Sequence, residues 1–137
     1  MTDNFQLISL KAHSDNRGSL IAIEDTVFDS AKFKRIYYIF DVKSSSISRG
    51  FHAHKKLEQL IIAVAGSCTF SINDGNKTTD VKLNSPTLGL WIKRPVWREI
   101  RDISSDTVLM ILASEYYDPD DYIHDYGEFL QHLKHID

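Results

Sequence analysis

Two histidines separated by one residue, His52 and His54, are the side chains of this sequence best suited to proton chemistry. They lie in a segment, Arg49 to Gly66, whose pattern predicts a strand, a short break, a second strand and a turn. Because side chains two residues apart on a strand point to the same side, we expect both imidazoles on one surface. An imidazole has an unperturbed pKa of about 6.5, so it can give or take a proton near neutral pH. That surface is the predicted functional site.

The composition of the chain limits what this site can belong to. With 137 residues, of which 42% are hydrophobic and 11% aromatic, the chain is long enough for one domain with a substantial core. Its net charge is -3 and its lysines and arginines are scattered, so no nucleic-acid surface is indicated. We therefore expect a small molecule or another subunit as the partner.

The location of the protein is predicted from its cysteine content and its apolar segments. A single cysteine, Cys68, excludes an intrachain disulfide framework. No charged and then apolar leader opens the chain, and the longest apolar runs are too short to span a bilayer. These features predict a cytoplasmic protein without membrane contact.

Short segments rich in β-branched and aromatic residues recur along the chain at intervals of roughly 8–12 residues. The first two, 5–10 and 19–24, flank a turn at 14–18 and are predicted to form a β-hairpin. Besides the segment that carries the histidines, further strands are predicted at 32–40, 67–72, 78–83, 88–92, 96–100 and 107–114. A total of about nine or ten short strands with this spacing predicts an all-β jelly roll.

Only the C-terminal end departs from this strand pattern. Asp118 can cap a helix with Pro119 at its first position, and apolar residues then recur at helical spacing. We expect a short C-terminal helix at about 119–135 that packs by its apolar side. The whole chain, 1–137, is predicted to form a single domain.

The spacing of His52, His54, Gln59 and Gly66 resembles the first signature of the cupin superfamily, small antiparallel β-barrels of the jelly-roll type. In that signature two histidines and a glutamate supply three metal ligands. Here Gln59 stands at the glutamate position, and an amide binds divalent cations poorly compared with a carboxylate. The neighbouring Glu58 could serve as a ligand if the loop before it were one residue shorter.

The second cupin signature, whose histidine is the fourth metal ligand, is expected near residues 92–98. The nearest register puts Arg98 at the position of that histidine. A guanidinium group carries no lone pair for a metal ion at any accessible pH. Because two of the expected ligands are replaced, we expect a site that uses neither a metal nor another cofactor.

A broader resemblance covers nearly the whole chain. The segments that carry it are Asp15, Arg17-Gly18-Ser19-Leu20, Lys34-Arg35, Tyr37-Tyr38-Ile39, Arg49-Gly50-Phe51-His52-Ala53-His54-Lys55, Asp74-Gly75, Ser85-Pro86, Gly89-Leu90, Val96-Trp97, Glu99, Leu112-Ala113-Ser114-Glu115-Tyr116-Tyr117, Asp121-Tyr122-Ile123 and Asp125-Tyr126. In this combination the chain resembles the sugar-nucleotide 3,4-ketoisomerases, the FdtA or WxcM-like family. A match of this breadth is much more specific than the paired histidines alone.

The resemblance implies isomerisation of dTDP-4-keto-6-deoxy-D-glucose to a dTDP-linked 3-keto-6-deoxyhexose, for dideoxyaminosugars of surface polysaccharide. The chemistry agrees with the residues, because a proton on C3 beside the C4 carbonyl is acidic enough for a general base. Two assignments stay open for His52 and His54: the two divide the acid and base roles, or one shuttles the proton while the other positions the substrate hydroxyl. The developing enediolate needs a donor, and an arginine or a tyrosine hydroxyl could supply it. The residues expected to bind the substrate are Arg17, Tyr38, Arg49, Gln59 and Arg98.

Two of these expectations depend on details of the fold. Tyr37 and Tyr38 point to opposite faces of one strand, and the parity of Tyr38 with the histidines favours it as the tyrosine at the barrel mouth. The resemblance also implies a homodimer, and residues 5–10 are apolar enough to form an open edge strand that a second subunit could pair with.

Other classes of protein stay open on the sequence alone. A metal-dependent cupin would need Glu58 as a ligand together with a fourth ligand that the sequence does not offer. An RmlC-like 3,5-epimerase is the nearest enzymatic alternative. A non-catalytic sugar-nucleotide-binding cupin would keep the pocket without turnover.

Overall fold

The computed structural model describes residues 4–24, 32–44 and 46–136. Its strands in chain order are β1 (Phe5–Ser9), β2 (Ala12–Asp15), β3 (Gly18–Ile21), β4 (Arg35–Ile39), β5 (Arg49–His54), β6 (Gln59–Ala65), β7 (Cys68–Asn73), β8 (Thr78–Leu83), β9 (Leu88–Ile92), β10 (Trp97–Arg101), β11 (Val108–Ala113) and β12 (Tyr122–Ile123). One five-stranded sheet has the order β1-β9-β6-β11-β4, and the other has the order β12-β5-β10-β7-β8. Every pairing within them is antiparallel, so the predicted jelly roll is confirmed.

The main core lies between the two sheets. Ile61 and Leu90 of the first sheet share one buried cluster with Phe70 and Ile100 of the second. The alternation of side chains along a strand explains this arrangement, because Ile61 and Leu90 are paired across β6 and β9 and so face the same side. The two open sheets therefore enclose the space in which a site can form.

The first sheet also buries side chains on its outer face. Leu60, Trp91 and Leu112 form a separate cluster there, with opposite parity to the main core. Partly buried side chains near the N-terminus, including Leu10 and Ile23, pack against this cluster. The sheet is thus apolar on both faces, which explains the nearly continuous apolar run of β6.

The N-terminal hairpin differs from the prediction. The turn lies where it was predicted, but it joins β2 to β3, and the pair forms a small two-stranded sheet of its own. The first apolar segment instead forms β1, which pairs with β9 at the edge of the first sheet. The reason is burial, because Phe5 reaches the main core, whereas β2 and β3 are largely exposed.

The predicted helix at about 119–135 is wrong in its bounds. Asp118 caps only a single 3-10 turn, Pro119–Asp121, which is followed by β12. The helix α1 (Tyr126–Leu133) begins after a second cap, where the side chain of Asp125 accepts a hydrogen bond from a backbone N–H. The interruption occurs because β12 pairs with β5 and so takes part in the second sheet.

The helix covers the outer face of the second sheet. Its buried Phe129 packs with Ala53, Trp97 and Ile123, which lie on the sheet side that faces away from the main core. In the part of the chain that the structure describes, no helix is long and apolar enough to cross a membrane.

Candidate active site

The strand β5 carries both histidines, and a bulge in it sets the direction of the first ring. Gly50 and Phe51 have positive φ angles of 90° and 56°, and the pairing of β5 with β10 changes register here. A Cβ at Gly50 would lie 3.0 Å from the carbonyl oxygen of Arg98, so the close crossing favours glycine. The Gly50 carbonyl lies 3.0 Å from Nδ1 of His52. Since a carbonyl only accepts, His52 carries its proton on Nδ1.

A cavity of about 290 Å³ opens between the two sheets beside this ring. This volume lies near the lower end of the range for small-molecule sites, about 300–1,000 Å³. Its polar lining consists of Tyr37, Arg49, His52, Gln59, Arg98 and Tyr122, and its apolar lining of Ile39, Ile61, Phe70, Ile100, Leu109 and Ile111. Apolar walls with a few converging polar groups are typical of a binding or catalytic site.

The structure brings most of the predicted site residues to this cavity. Arg49, His52, Gln59 and Arg98 line it. His54 does not line it but lies directly behind His52, with the two ring centroids 4.8 Å apart. The predicted common face of the two histidines is therefore found, with one ring in front of the other.

The tyrosine chosen from strand parity is the wrong one. Tyr37 lines the cavity, while Tyr38 is 63% exposed and lies outside it. Across β4 and β11, Tyr37 is paired with Ile111 of the main core, so both face the interior. The sequence argument failed because the loop between β4 and β5 breaks the parity that would relate Tyr38 to the histidines.

Arg17 also lies away from the cavity of its own chain. It stands at the turn between β2 and β3, where its side chain is 86% exposed and forms an ion pair with Asp15 at 2.6 Å. The hairpin belongs to neither of the two large sheets.

An aspartate that the sequence analysis did not single out supports the second histidine. Nδ1 of His54 lies 3.0 Å from Oδ2 of Asp121, and both side chains are buried. The other carboxylate oxygen accepts the backbone N–H of Lys56 at 2.9 Å. The two partners are 67 residues apart in the chain, and only the family-like Asp121-Tyr122-Ile123 segment hinted at this position.

Aromatic rings enclose the histidine pair on the side of β12. The Tyr122 ring lies 4.4 Å from the His54 ring and 5.2 Å from the His52 ring, measured between centroids. On its other side it stacks on His124 at 5.4 Å. These contacts restrict the rotation of the imidazoles and reduce their access to water.

A hydrogen-bonded group of three side chains forms the opposite wall. The amide nitrogen of Gln59 donates to the Tyr37 hydroxyl at 2.9 Å, and the Arg98 guanidinium donates to the amide oxygen of Gln59. The Nε of Arg98 is buried and has no hydrogen-bond partner among the residues that the structure describes. Such a buried donor is rare in a folded protein, and this one belongs to a residue that lines the cavity.

The electrostatics of the cavity keep the histidines neutral near pH 7. Burial, and then the positive charge of Arg98, lower the pKa of His52 to about 4. The same two causes lower the pKa of His54. Burial lowers the pKa of Arg98 to about 10, so its charge persists at neutral pH, and burial raises the pKa of Tyr37. The site thus combines a neutral imidazole base with a positive charge and a phenolic donor.

The residues present do not fit a cupin metal. The two Nε2 atoms of His52 and His54 lie 3.2 Å apart, but the Gln59 oxygen that would be the third ligand is already the acceptor for the Arg98 guanidinium. Glu58 accepts the indole N–H of Trp91, on the outer face of the first sheet. Among residues 4–24, 32–44 and 46–136, no group of three or more His, Cys, Asp or Glu side chains is arranged for a metal ion.

Comparison with distant structures bears on the fold alone. The RmlC epimerase of Mycobacterium tuberculosis is 16% identical, with a TM-score of 0.74, over 88% of this chain and 68% of that chain. The RmlC-like jelly roll is therefore confirmed.

Closer relatives are 3,4-ketoisomerases. The TDP-4-oxo-6-deoxy-alpha-D-glucose-3,4-oxoisomerase of Aneurinibacillus thermoaerophilus is 47% identical over 131 residues, which is 96% of this chain and 94% of that protein. A solved 3,4-ketoisomerase from Helicobacter canadensis is 43% identical, with a TM-score of 0.91, over 96% of this chain and 98% of that chain. A mutant of the 3,4-ketoisomerase QdtA from Thermoanaerobacterium thermosaccharolyticum, in complex with TDP-4-keto-6-deoxyglucose, is 38% identical. Its TM-score is 0.92, and 99% of each chain is covered.

The family itself follows from a match over almost the full length. The family model described as FdtA, WxcM-like, C-terminal matches residues 3–134. The resemblance inferred from the sequence motifs is thereby confirmed. The chain belongs to the FdtA (WxcM-like) family of isomerases.

Proposed function

We infer that this chain is a sugar-nucleotide 3,4-ketoisomerase that converts dTDP-4-keto-6-deoxy-D-glucose to a dTDP-3-keto-6-deoxyhexose. The observation that carries this inference is a neutral imidazole, His52, at the wall of a cavity that also holds the Arg98 charge and the Tyr37 hydroxyl. A base beside a fixed positive charge suits the removal of a proton next to a carbonyl group. The relatives named above support the identity of the substrate.

His52 is the proposed base because it lines the cavity and His54 does not. The C3–H bond breaks, its proton goes to Nε2 of His52, and its electron pair forms the C3–C4 double bond as the carbonyl electrons move to O4. A proton then passes from O3 to O4. The imidazolium returns a proton to C4 while the O3 electrons form the new carbonyl group. The product is thus an isomer of the substrate, and no redox partner is consumed.

After C3 has lost its proton and before C4 gains one, the substrate is an enediolate with a negative charge. The hydrogen-bonded group of Tyr37, Gln59 and Arg98 on the opposite wall of the cavity is suited to stabilise this charge. Arg98 holds a permanent positive charge, and its Nε is a buried donor for which the described residues supply no acceptor. Tyr37 accepts from Gln59 and so keeps its own O–H proton available for O3 or O4. Preorganised hydrogen-bond donors of this kind increase the reaction rate most when they lie where negative charge develops in the transition state.

The nucleotide part of the substrate is too large for the same cavity. We propose that Arg49, which lines the cavity yet is exposed, binds the diphosphate as a cation. Arg17 lies outside the cavity of its own chain, so its proposed role is limited to the outer part of the ligand, and Tyr38 is replaced by Tyr37 as the proposed tyrosine of the site. The product would supply dideoxyaminosugar synthesis for surface polysaccharide, and the expected location is the cytoplasm.

We also propose a homodimer. Within the described chain β1 pairs only with β9 and so leaves one edge of the first sheet open. At the other edge, β4 and its following loop expose Ile36, Tyr38 and Phe40. Open edges and exposed apolar side chains both favour association with a second copy.

The function is tested by incubating the protein with dTDP-4-keto-6-deoxyglucose in deuterated buffer and following the sugar by NMR. We expect a 3-keto product and exchange of the C3 proton, because the base must remove that proton. The C5 proton should stay. A protein that only binds the sugar nucleotide would change neither signal, whereas a 3,5-epimerase would also label C5.

Replacing either histidine should remove most of this activity. We expect kcat to fall by about 10² to 10⁴ in both His52→Asn and His54→Asn, the usual contribution of general acid–base catalysis. His54→Asn should also lower the melting temperature, because His54 is only 1% exposed. The matched control is His135→Asn at an exposed position of the C-terminal end. Near-normal turnover in both site variants would exclude the proposed acid–base pair.

Chelation should leave the activity unchanged. Of the four cupin ligand positions, Gln59 and Arg98 occupy two, and Arg98 would repel a divalent cation. We expect full turnover after prolonged EDTA treatment and no gain from zinc, manganese or iron(II). If EDTA abolished turnover and one metal restored it, Lewis-acid enolisation would replace the mechanism above.

Light scattering at micromolar concentration checks the assembly. We expect a mass about twice the 15.7 kDa of one chain, because the open edges favour pairing with a second copy. A mass of 15.7 kDa at that concentration would contradict the homodimer.

A further inference from the structure

Arg35 is a charged side chain close to the site, and the mechanism above gives it no role. It is the first residue of β4 and has the same strand parity as Tyr37 and Ile39, which both line the cavity. Arg35 itself is not part of the lining. Its guanidinium group therefore lies on the inner side of the first sheet, beyond the wall that holds the Tyr37 phenol.

The contacts of the Arg35 guanidinium are made with aromatic rings. Its central carbon lies over the Tyr37 ring, 5.1 Å from the ring centroid, and over the Tyr117 ring at 5.8 Å. Among the residues that the structure describes, no ion pair includes Arg35, and its buried Nε has no hydrogen-bond partner. Because no described carboxylate neutralises this cation, its full charge acts on the Tyr37 ring.

A cation in this position interacts most strongly with a tyrosine that carries negative charge. The face of an aromatic ring is already negative and attracts a guanidinium group. When the phenol donates its proton in a strong hydrogen bond, negative charge moves onto the oxygen and the ring, and the attraction increases. Arg35 therefore favours the state in which Tyr37 has given up part of its proton.

The groups that surround the Tyr37 phenol agree with this effect. Burial raises the pKa of Tyr37, and the positive charges of Arg98 from β10 and Arg35 from β4 lower it. Tyr122 from β12 adds to the rise, and the hydrogen bond from Gln59 in β6 opposes it. Arg98 also contacts Gln59, so Arg35 is the cation that acts on Tyr37 from outside this hydrogen-bonded group.

We propose that Arg35 is a positioning residue of the reaction, which holds the Tyr37 ring in place and stabilises the negative charge that the phenol takes up when it donates to the enediolate. The proposal deepens the proposed function and rests on it for the presence of the enediolate. Arg35 acts through Tyr37 and touches no substrate atom. Because the charge on the phenol develops only after C3 has lost its proton, Arg35 should affect kcat and leave substrate binding unchanged.

The neighbouring residue, Lys34, offers a matched control. It lies next to Arg35 in the chain, and its ammonium group also lies over a tyrosine ring, 5.6 Å from the centroid of Tyr116. Both Lys34 and Tyr116 are exposed, and Lys34 pairs with Glu115 at 3.5 Å. Lys34→Met thus removes a cation and a cation–π contact of the same kind on the outside of the protein.

The first experiment needs no substrate. A fluorinated tyrosine is incorporated at position 37, where its more acidic phenol titrates in an accessible pH range, and ¹⁹F NMR follows the titration. In Arg35→Met we expect the pKa of this phenol to rise above that of the unsubstituted chain, because the cation that lowers it is lost. In Lys34→Met it should not change. An unchanged phenol pKa in Arg35→Met would overturn the proposal.

The second experiment measures turnover of dTDP-4-keto-6-deoxyglucose and, by calorimetry, binding of dTDP. For Arg35→Met we expect kcat to fall about tenfold, the usual size of one partly buried cation–π contact, with KM and the Kd for dTDP unchanged. Arg35→Lys should recover most of this loss, since an ammonium group can also lie over the ring. Lys34→Met should match the wild type in kcat, KM and Kd.

An opposite split of the kinetic constants would contradict the positioning role. If Arg35→Met raised KM and the Kd for dTDP while kcat stayed the same, Arg35 would bind the nucleotide directly. Should Arg35→Met fail to fold, Arg35→Gln removes the charge but keeps a polar head group, and the same measurements decide. Absence of turnover in the wild type would disprove the proposed function, whereas the titration would still show whether Arg35 acts on Tyr37.

Discussion

A permanent positive charge, the Arg98 guanidinium, is buried between the two sheets, and the neighbouring polar groups depend on it. The amide of Gln59 accepts from this guanidinium through its oxygen and donates to the Tyr37 hydroxyl through its nitrogen, and the carboxylate of the metal-binding signature could not make the second of these bonds. Burial, and then the same charge, lower the pKa of both histidines and so keep them unprotonated near pH 7. The cationic centre of this cavity is thus part of the chain, and its strength does not depend on a dissociable ion.

The second constraint is the return of the C-terminal segment to β5. Pairing of Tyr122 with His54 and of Ile123 with Ala53 brings the 3-10 turn against the histidine strand. The backbone N–H of Lys55 then donates to the Asp121 carbonyl, and that of Lys56 to its side chain. These contacts fix the carboxylate on a short rigid turn, and α1 secures the segment by burying Phe129. Precise placement of a charged group therefore comes from backbone pairing and not from a long flexible side chain.

The sequence predicts those features of the fold and of the site that depend on neighbouring residues, and it does not predict those that depend on contacts between distant segments. The common face of His52 and His54 follows from the two-residue period of a strand, and the turn at Gly66 follows from composition. The inward side of Tyr37 could not be derived, because parity does not carry across a loop and a bulge. Asp121 could not be assigned to His54 either, because their contact spans 67 residues and depends on a two-residue strand that looks like part of a helix in the sequence.

Because β12 follows all the other strands in the chain, the active site is completed only after those strands can already have paired. During synthesis the N-terminal parts of a chain emerge first, so the strands up to β11 can associate before the last segment is available. His54 then lacks its carboxylate partner until the segment from Asp118 to Leu133 leaves the ribosome and docks on the histidine strand. Closing a loop of this length carries an entropic cost that packing of the helix must offset. A nascent or truncated chain can therefore resemble the finished protein in its sheets while its proton-transfer machinery is still unassembled.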